Sequence, residues 1–121
     1  MQVNRNSAKL ILSWIVSETK QHNNIPKLIF SKRNAYRFGE YDFKRKTITI
    51  FESNHQNNFE EFLDTILHEF GHHLQNTKSV RYQRLNKCLK WTDVRLRERD
   101  FETHAKQFAN KYKKKFLKII C

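Results

Sequence analysis

Leu67-His68-Glu69-Phe70-Gly71-His72-His73 is the stretch on which the reading of this chain turns. It lies inside a longer pattern that predicts a helix from Phe59 to about Asn76. Asn58, with Glu61 three residues later, has the form of a capping box. Phe59, Phe62, Leu63, Ile66, Leu67, Phe70 and Leu74 then recur at helical spacing over a wide face, which marks a central helix. Within it, His68 and His72 stand one turn apart on the same side, so both imidazoles can aim at one metal ion. Glu69 sits next to them, where its carboxylate reaches a metal-bound water rather than the metal. Two histidines and a glutamate beside apolar residues are costly unless they serve each other or a ligand. Gly71 costs about 1 kcal/mol of helix propensity relative to Ala, so close packing of another segment is expected there.

Zinc in a catalytic site takes three protein ligands and leaves one position open. The third ligand must come from downstream, and Asp93, Glu98, Asp100, Glu102 and His104 are the candidates; His73 points elsewhere and is expected near the site or at the surface. Residues 93–118 predict a long basic helix, with Asp93 as cap. Its stripe is Phe101, Ala105, Phe108, Tyr112 and Phe116. At about 100° per residue, Glu98 and Glu102 flank the stripe on the side of Ala105 and Ala109, and His104 flanks the opposite side. Small residues mark where helices approach closely, so the alanine side should meet the zinc helix near Gly71. Glu102 is favoured, with Glu98, one turn earlier, as the remaining alternative.

Upstream, residues 6–20 predict an amphipathic helix capped by Asn6 or Ser7, with Ala8, Ile11 and Ile15 on its apolar face, and His22–Pro26 closing it. Leu28-Ile29-Phe30 reads as a short buried strand. Ala35–Phe38 leads through Gly39 into Tyr41-Asp42-Phe43, and Thr47-Ile48-Thr49-Ile50-Phe51 alternates strictly with β-branched residues. Gly39 within a strand pattern suggests a bulge or a close backbone approach. The expected fold is therefore α+β: an N-terminal helix, a small three-stranded sheet whose last two strands form a hairpin, the H-E-x-x-H helix, and a C-terminal helix carrying the third ligand. Residues 77–92 are loosely helical.

The chain has 121 residues, which suggests one domain over 1–121. The net charge of +12 is concentrated after residue 75, where fourteen Lys/Arg face four Asp/Glu. Such a surface could meet nucleic acid or an acidic partner, although no base-reading motif accompanies it. No apolar run is long enough for a membrane span, and the N-terminal pattern is amphipathic rather than a signal peptide. Two cysteines, Cys88 and Cys121, give no disulfide framework and suit a reducing cytoplasm.

His68-Glu69-Phe70-Gly71-His72, followed by Glu102-Thr103-His104-Ala105-Lys106-Gln107-Phe108-Ala109, resembles the gluzincin clan of zinc metallopeptidases. Its smallest members, the minigluzincins and the ImmA/IrrE-type peptidase domains, are the most similar, and the likeness runs from about residue 8 to 117. It implies a zinc endopeptidase with His68, His72 and Glu102 as ligands and Glu69 as general base. It also implies that Thr47–Phe51 is the sheet edge that holds an extended substrate. Two departures stand out. Lys106 occupies the position where thermolysin-type enzymes have an acidic residue, and the SprT/Spartan group, which acts on DNA-bound proteins, uses a third His. Tyr82, His104, Tyr112 and His73 are candidate donors to the oxyanion. The thiol of Cys121 could fill the open coordination position and make the enzyme latent. The alternative is a metallopeptidase-like binding module acting on nucleic acid or a DNA-bound regulator.

Overall fold

A computed structural model describes residues 1–33, 35–55, 58–80 and 91–120, with 91–99 as backbone only. Helix α1 (Arg5–Glu18) is followed by strands β1 (Lys27–Ser31), β2 (Gly39–Asp42) and β3 (Thr47–Phe51). A short 3-10 turn (Glu52–Asn54) leads to helix α2 (Phe59–Lys78), and helix α3 (Trp91–Ile120) closes the chain. This is the α+β arrangement expected. Among the described residues no helix is long and apolar enough to cross a membrane.

The ends of α1 differ from the expectation. Asn4, not Asn6 or Ser7, is the cap: its side chain accepts from the Ser7 backbone N–H. The helix stops at Glu18 because Lys20 takes a left-handed φ of 57° and Gln21 N–H turns back to the Val16 carbonyl. Helix α2 starts as read, with Asn58 accepting from Glu61 N–H at 3.1 Å. Trp91 and Thr92 are already helical in α3, so Asp93 lies inside the helix and is not its cap.

The sheet has the order β1-β3-β2, with β1 parallel and β2 antiparallel to β3. The expected hairpin is β2–β3, turned by Asp42 accepting from the N–H groups of Lys44 and Arg45, with Lys46 at φ 50°. One expectation is overturned here. Thr47–Phe51 is not an edge but the central strand, paired on both sides. Thr47, Ile48, Ile50 and Phe51 are all buried and Thr49 is half-buried. The more polar β2, with its sequence Gly-Glu-Tyr-Asp, is the exposed edge on the side of α2.

Helix α2 packs against α1, β2, β3 and α3. Phe62, Leu63, Ile66, Leu67 and Phe70 are fully buried with Ala8, Ile11, Ile15, Ile48 and Ile50. The stripe on α3 meets this core, where Ala105, Ala109 and Phe116 are buried and Trp14 lies edge-on to Phe116 at 5.1 Å. Both glycines sit where elements press together. A Cβ on Gly39 would lie 2.7 Å from the Thr65 methyl carbon and 3.1 Å from the Thr49 carbonyl oxygen, so β2 lies hard against α2 through this residue. A Cβ on Gly71 would meet Ala105 Cα and Phe108 Cδ1 at 3.4 Å, ordinary contact distance.

His73 fixes the same frame. It is only 1% exposed. Its Nε2–H donates to the Asn24 carbonyl (2.9 Å), which leaves Nδ1 to accept from the Tyr41 hydroxyl (2.8 Å). Asn76 donates to the same hydroxyl at 3.0 Å and to the Phe43 carbonyl at 2.9 Å, tying the β2–β3 hairpin to α2. Burial, the larger effect, holds the His73 pKa below the ordinary histidine value, against the bond to Asn24.

The two glycines are expected to respond oppositely to Ala in denaturant unfolding. Gly39→Ala should lose about 1–3 kcal/mol through forced separation of β2 from α2. Gly71→Ala should be neutral or gain up to about 1 kcal/mol of helix propensity.

Candidate metal centre

Three side chains of α2 and one of α3 form a single cluster. His68, Glu69 and His72 each place a possible ligand atom within 4.8 Å of the others. Glu102 reaches across from α3. Its Oε2 lies 2.9 Å from His68 Nε2 and its Oε1 lies 2.8 Å from His72 Nε2. The helices can approach this closely because Gly71 faces Ala105, so the carboxylate three residues before that alanine lands between the two imidazoles. Of the candidates for this position, Asp100 and His104 are exposed and line no part of the groove described below. The side chains of Asp93 and Glu98 lie outside the described residues.

The hydrogen bonding of His72 defines what this site requires. Gln75 Nε2 donates to the Phe101 carbonyl at 2.9 Å, so its Oε1 faces His72 Nδ1 at 2.8 Å and the proton resides on Nδ1. Nε2 of the neutral ring then carries a lone pair that points at a carboxylate oxygen. Two acceptors at 2.8 Å need a proton or a metal cation between them. The charges follow this geometry. Burial lowers the His72 pKa, but the bond to Glu102, the charge of Glu69 and the bond to Gln75 together raise it above the ordinary value. Bonds from His68 and then His72 hold Glu102 well below the carboxylate range. Zinc bonds of about 2.0–2.1 Å separate two tetrahedral ligands by about 3.3 Å, so these nitrogen–oxygen pairs need only a small opening to share an ion. The two imidazoles and the carboxylate fit such a cation.

Glu69 differs from Glu102 in every respect. It is 9% exposed, and burial raises its pKa, opposed by the nearby His72 and His68. Glu102 is 49% exposed and fully engaged. Within the cluster, Glu69 is thus the buried carboxylate with the raised pKa, and Glu102 is the one that faces both imidazoles.

The cluster forms the floor of a groove of about 720 Å³, walled by Arg37–Tyr41 on one side and by Phe101, Glu102 and Lys106 on the other. The bond from Phe51 N–H to the Phe38 carbonyl sets the ladder alternation, so the backbone groups of Gly39 and Tyr41 point away from β3. None of the described candidates for an oxyanion donor lines this groove. His73 is not at the surface but buried and committed to Asn24 and Tyr41. Tyr112 packs on Phe108 and Trp14. Tyr82 lies outside the described residues, as do Cys88 and Cys121. Ile120, which precedes Cys121, stands eighteen residues beyond Glu102 on one helix, roughly 27 Å away at 1.5 Å per residue. Gln75 and Arg37 were not singled out from sequence. Gln75 was detectable in principle, being three residues after His72 on the same helix face.

No protein-family model matches this chain, and no curated protein and no solved structure matches it.

Zinc uptake should displace protons from the cluster. Titration calorimetry is expected to give an affinity that rises with pH and begins to weaken above pH 6.5 on acidification, because His72 holds its proton more tightly than an ordinary histidine. Gln75→Ala should weaken zinc by about 10–100-fold through loss of the Nδ1 anchor. Glu102→Gln should weaken it at least as much, and Glu98→Gln should not.

Proposed function

We propose that this chain is a zinc-dependent endopeptidase. The observation that carries the reading is the convergence of His68, His72 and Glu102 from two helices, with buried Glu69 beside them, in a groove bounded by an edge strand. Zinc held by the first three residues would supply Lewis acidity, bringing the pKa of water towards 7 and polarising a carbonyl.

The chain's own residues do the remainder. Glu69 takes a proton from the attacking water, and burial makes it a stronger base than an ordinary carboxylate. The same carboxyl then passes the proton to the departing amine. Glu102 and Gln75 keep both imidazoles turned into the groove. The outward backbone groups of Gly39 offer an extended peptide a strand-like partner, which makes β2 the substrate-holding edge in this reading. The low cysteine count supports a cytoplasmic setting.

A second reading, a zinc-stabilised module for nucleic acid or an acidic regulator, draws support from Lys111, Lys114 and Lys118, all exposed on α3. After Glu102 the chain contains no acidic residue.

The experiment that separates the two is Glu69→Gln. In the peptidase reading it keeps the fold and zinc stoichiometry but lowers hydrolysis of an unstructured protein substrate by about 10²–10⁴-fold. Hydrolysis that survives the substitution, or is absent from the zinc-loaded wild-type chain, would remove the peptidase reading.

A further inference from the structure

Lys106 follows Glu102 by one turn of α3, the spacing at which a Glu–Lys pair ordinarily closes on itself. Here it does not close, because both Glu102 oxygens face imidazole nitrogens. The half-buried acids at the groove have their own cations. Glu40 pairs with Arg37 at 3.4 Å, and Asp64 pairs with Lys113 at 3.6 Å. Lys106 is exposed, lines the groove, and among the described residues is its one cation without a carboxylate partner.

We propose that Lys106 is the specificity-determining residue of the groove and selects peptide segments bearing an anionic side chain next to the metal cluster. Its role deepens the peptidase reading by naming the substrate class. The ammonium is a point charge on a flexible stem, suited equally to a carboxylate or a phosphate. Filling of the cluster by a divalent cation strengthens the case, since it offsets the negative charge of Glu102 and Glu69 and leaves Lys106 to set the local sign. The net charge of +12 draws the same class of segment from a distance. Arg37 is a weaker contributor, because an exposed cation already paired with Glu40 has less to gain from a second anion.

The test uses the Glu69→Gln chain, with zinc and without. Its probes are fluorescein-labelled peptides of one sequence carrying Asp, phosphoserine or Lys at the central position. Anisotropy should give tighter binding of the Asp and phosphoserine peptides than of the Lys peptide, by roughly five-fold for a solvent-exposed ion pair. Lys106→Glu in the same background should reverse that order. Lys114→Glu makes the same change of net charge on the outer face of α3 and should leave the order intact. A phosphoserine preference without an Asp preference would assign the subsite to phosphorylated segments. Equal binding of all three peptides, or equal loss of preference in both Lys→Glu variants, would overturn the assignment. Cleavage of the same peptides by the otherwise unmodified chain is scored separately. If nothing is cleaved but the binding order and its reversal hold, the peptidase reading falls and the Lys106 subsite stands.

Discussion

A carboxylate held 2.8–2.9 Å from two imidazole nitrogens is the constraint on which the site depends. It joins two helices through residues far apart in sequence, with Glu102 34 residues after His68. It also fixes the electrical character of the site. Because Gln75 occupies Nδ1 of His72, Nε2 has only a lone pair to present to Glu102 unless a second proton arrives. The raised pKa of His72 follows from that opposition against the effect of burial, and the depressed one of Glu102 from its bond to His68 first and to His72 second. A protein that merely needed to join α2 to α3 could do so with apolar contacts alone, as it does at Phe70 and Phe108. The facing acceptors of His72 and Glu102 instead need a proton or a cation between them.

The surrounding frame exists to keep this opposition in register. Gly71 and Ala105 let the helix axes close up, while Gly39 seats β2 against Thr65 on the other side of α2. His73, next to a proposed ligand in sequence, faces away from the cluster and anchors Tyr41 and the Asn24 carbonyl instead. Adjacent histidines on one helix thus divide their work: His72 faces the groove and His73 locks its wall. Asn54 adds a third tie, donating to the carbonyls of Ala35 and Arg37 and so holding the segment that leads into β2.

Much of this was legible in the amino-acid order. The 3.6-residue period placed α2 and the inward stripe of α3 directly, and the angle between Glu102 and His104 pointed to the carboxylate that the fold brings to His68 and His72. Helix positions of this kind follow from local geometry. The sheet order did not, because a five-residue alternating strand records which faces are apolar but not which strands flank it. Thr47–Phe51 therefore reads equally as an edge or a centre, and only the parallel partner β1, twenty residues earlier, decides for the centre. The burial of His73 was equally hidden, since its partners Asn24 and Tyr41 are 49 and 32 residues distant. The N-cap of α1 was missed by two residues, a small shift among several polar candidates in Asn4-Arg5-Asn6-Ser7.

Anomalous diffraction at the zinc edge, from crystals grown with zinc at one equivalent, tests the central claim most directly. One strong peak is expected, bonded to Nε2 of His68, Nε2 of His72 and the carboxylate of Glu102, with the Glu69 carboxylate close by but not bonded to the metal. A peak elsewhere, or none with Glu102 still hydrogen-bonded to two protonated imidazoles, would contradict it.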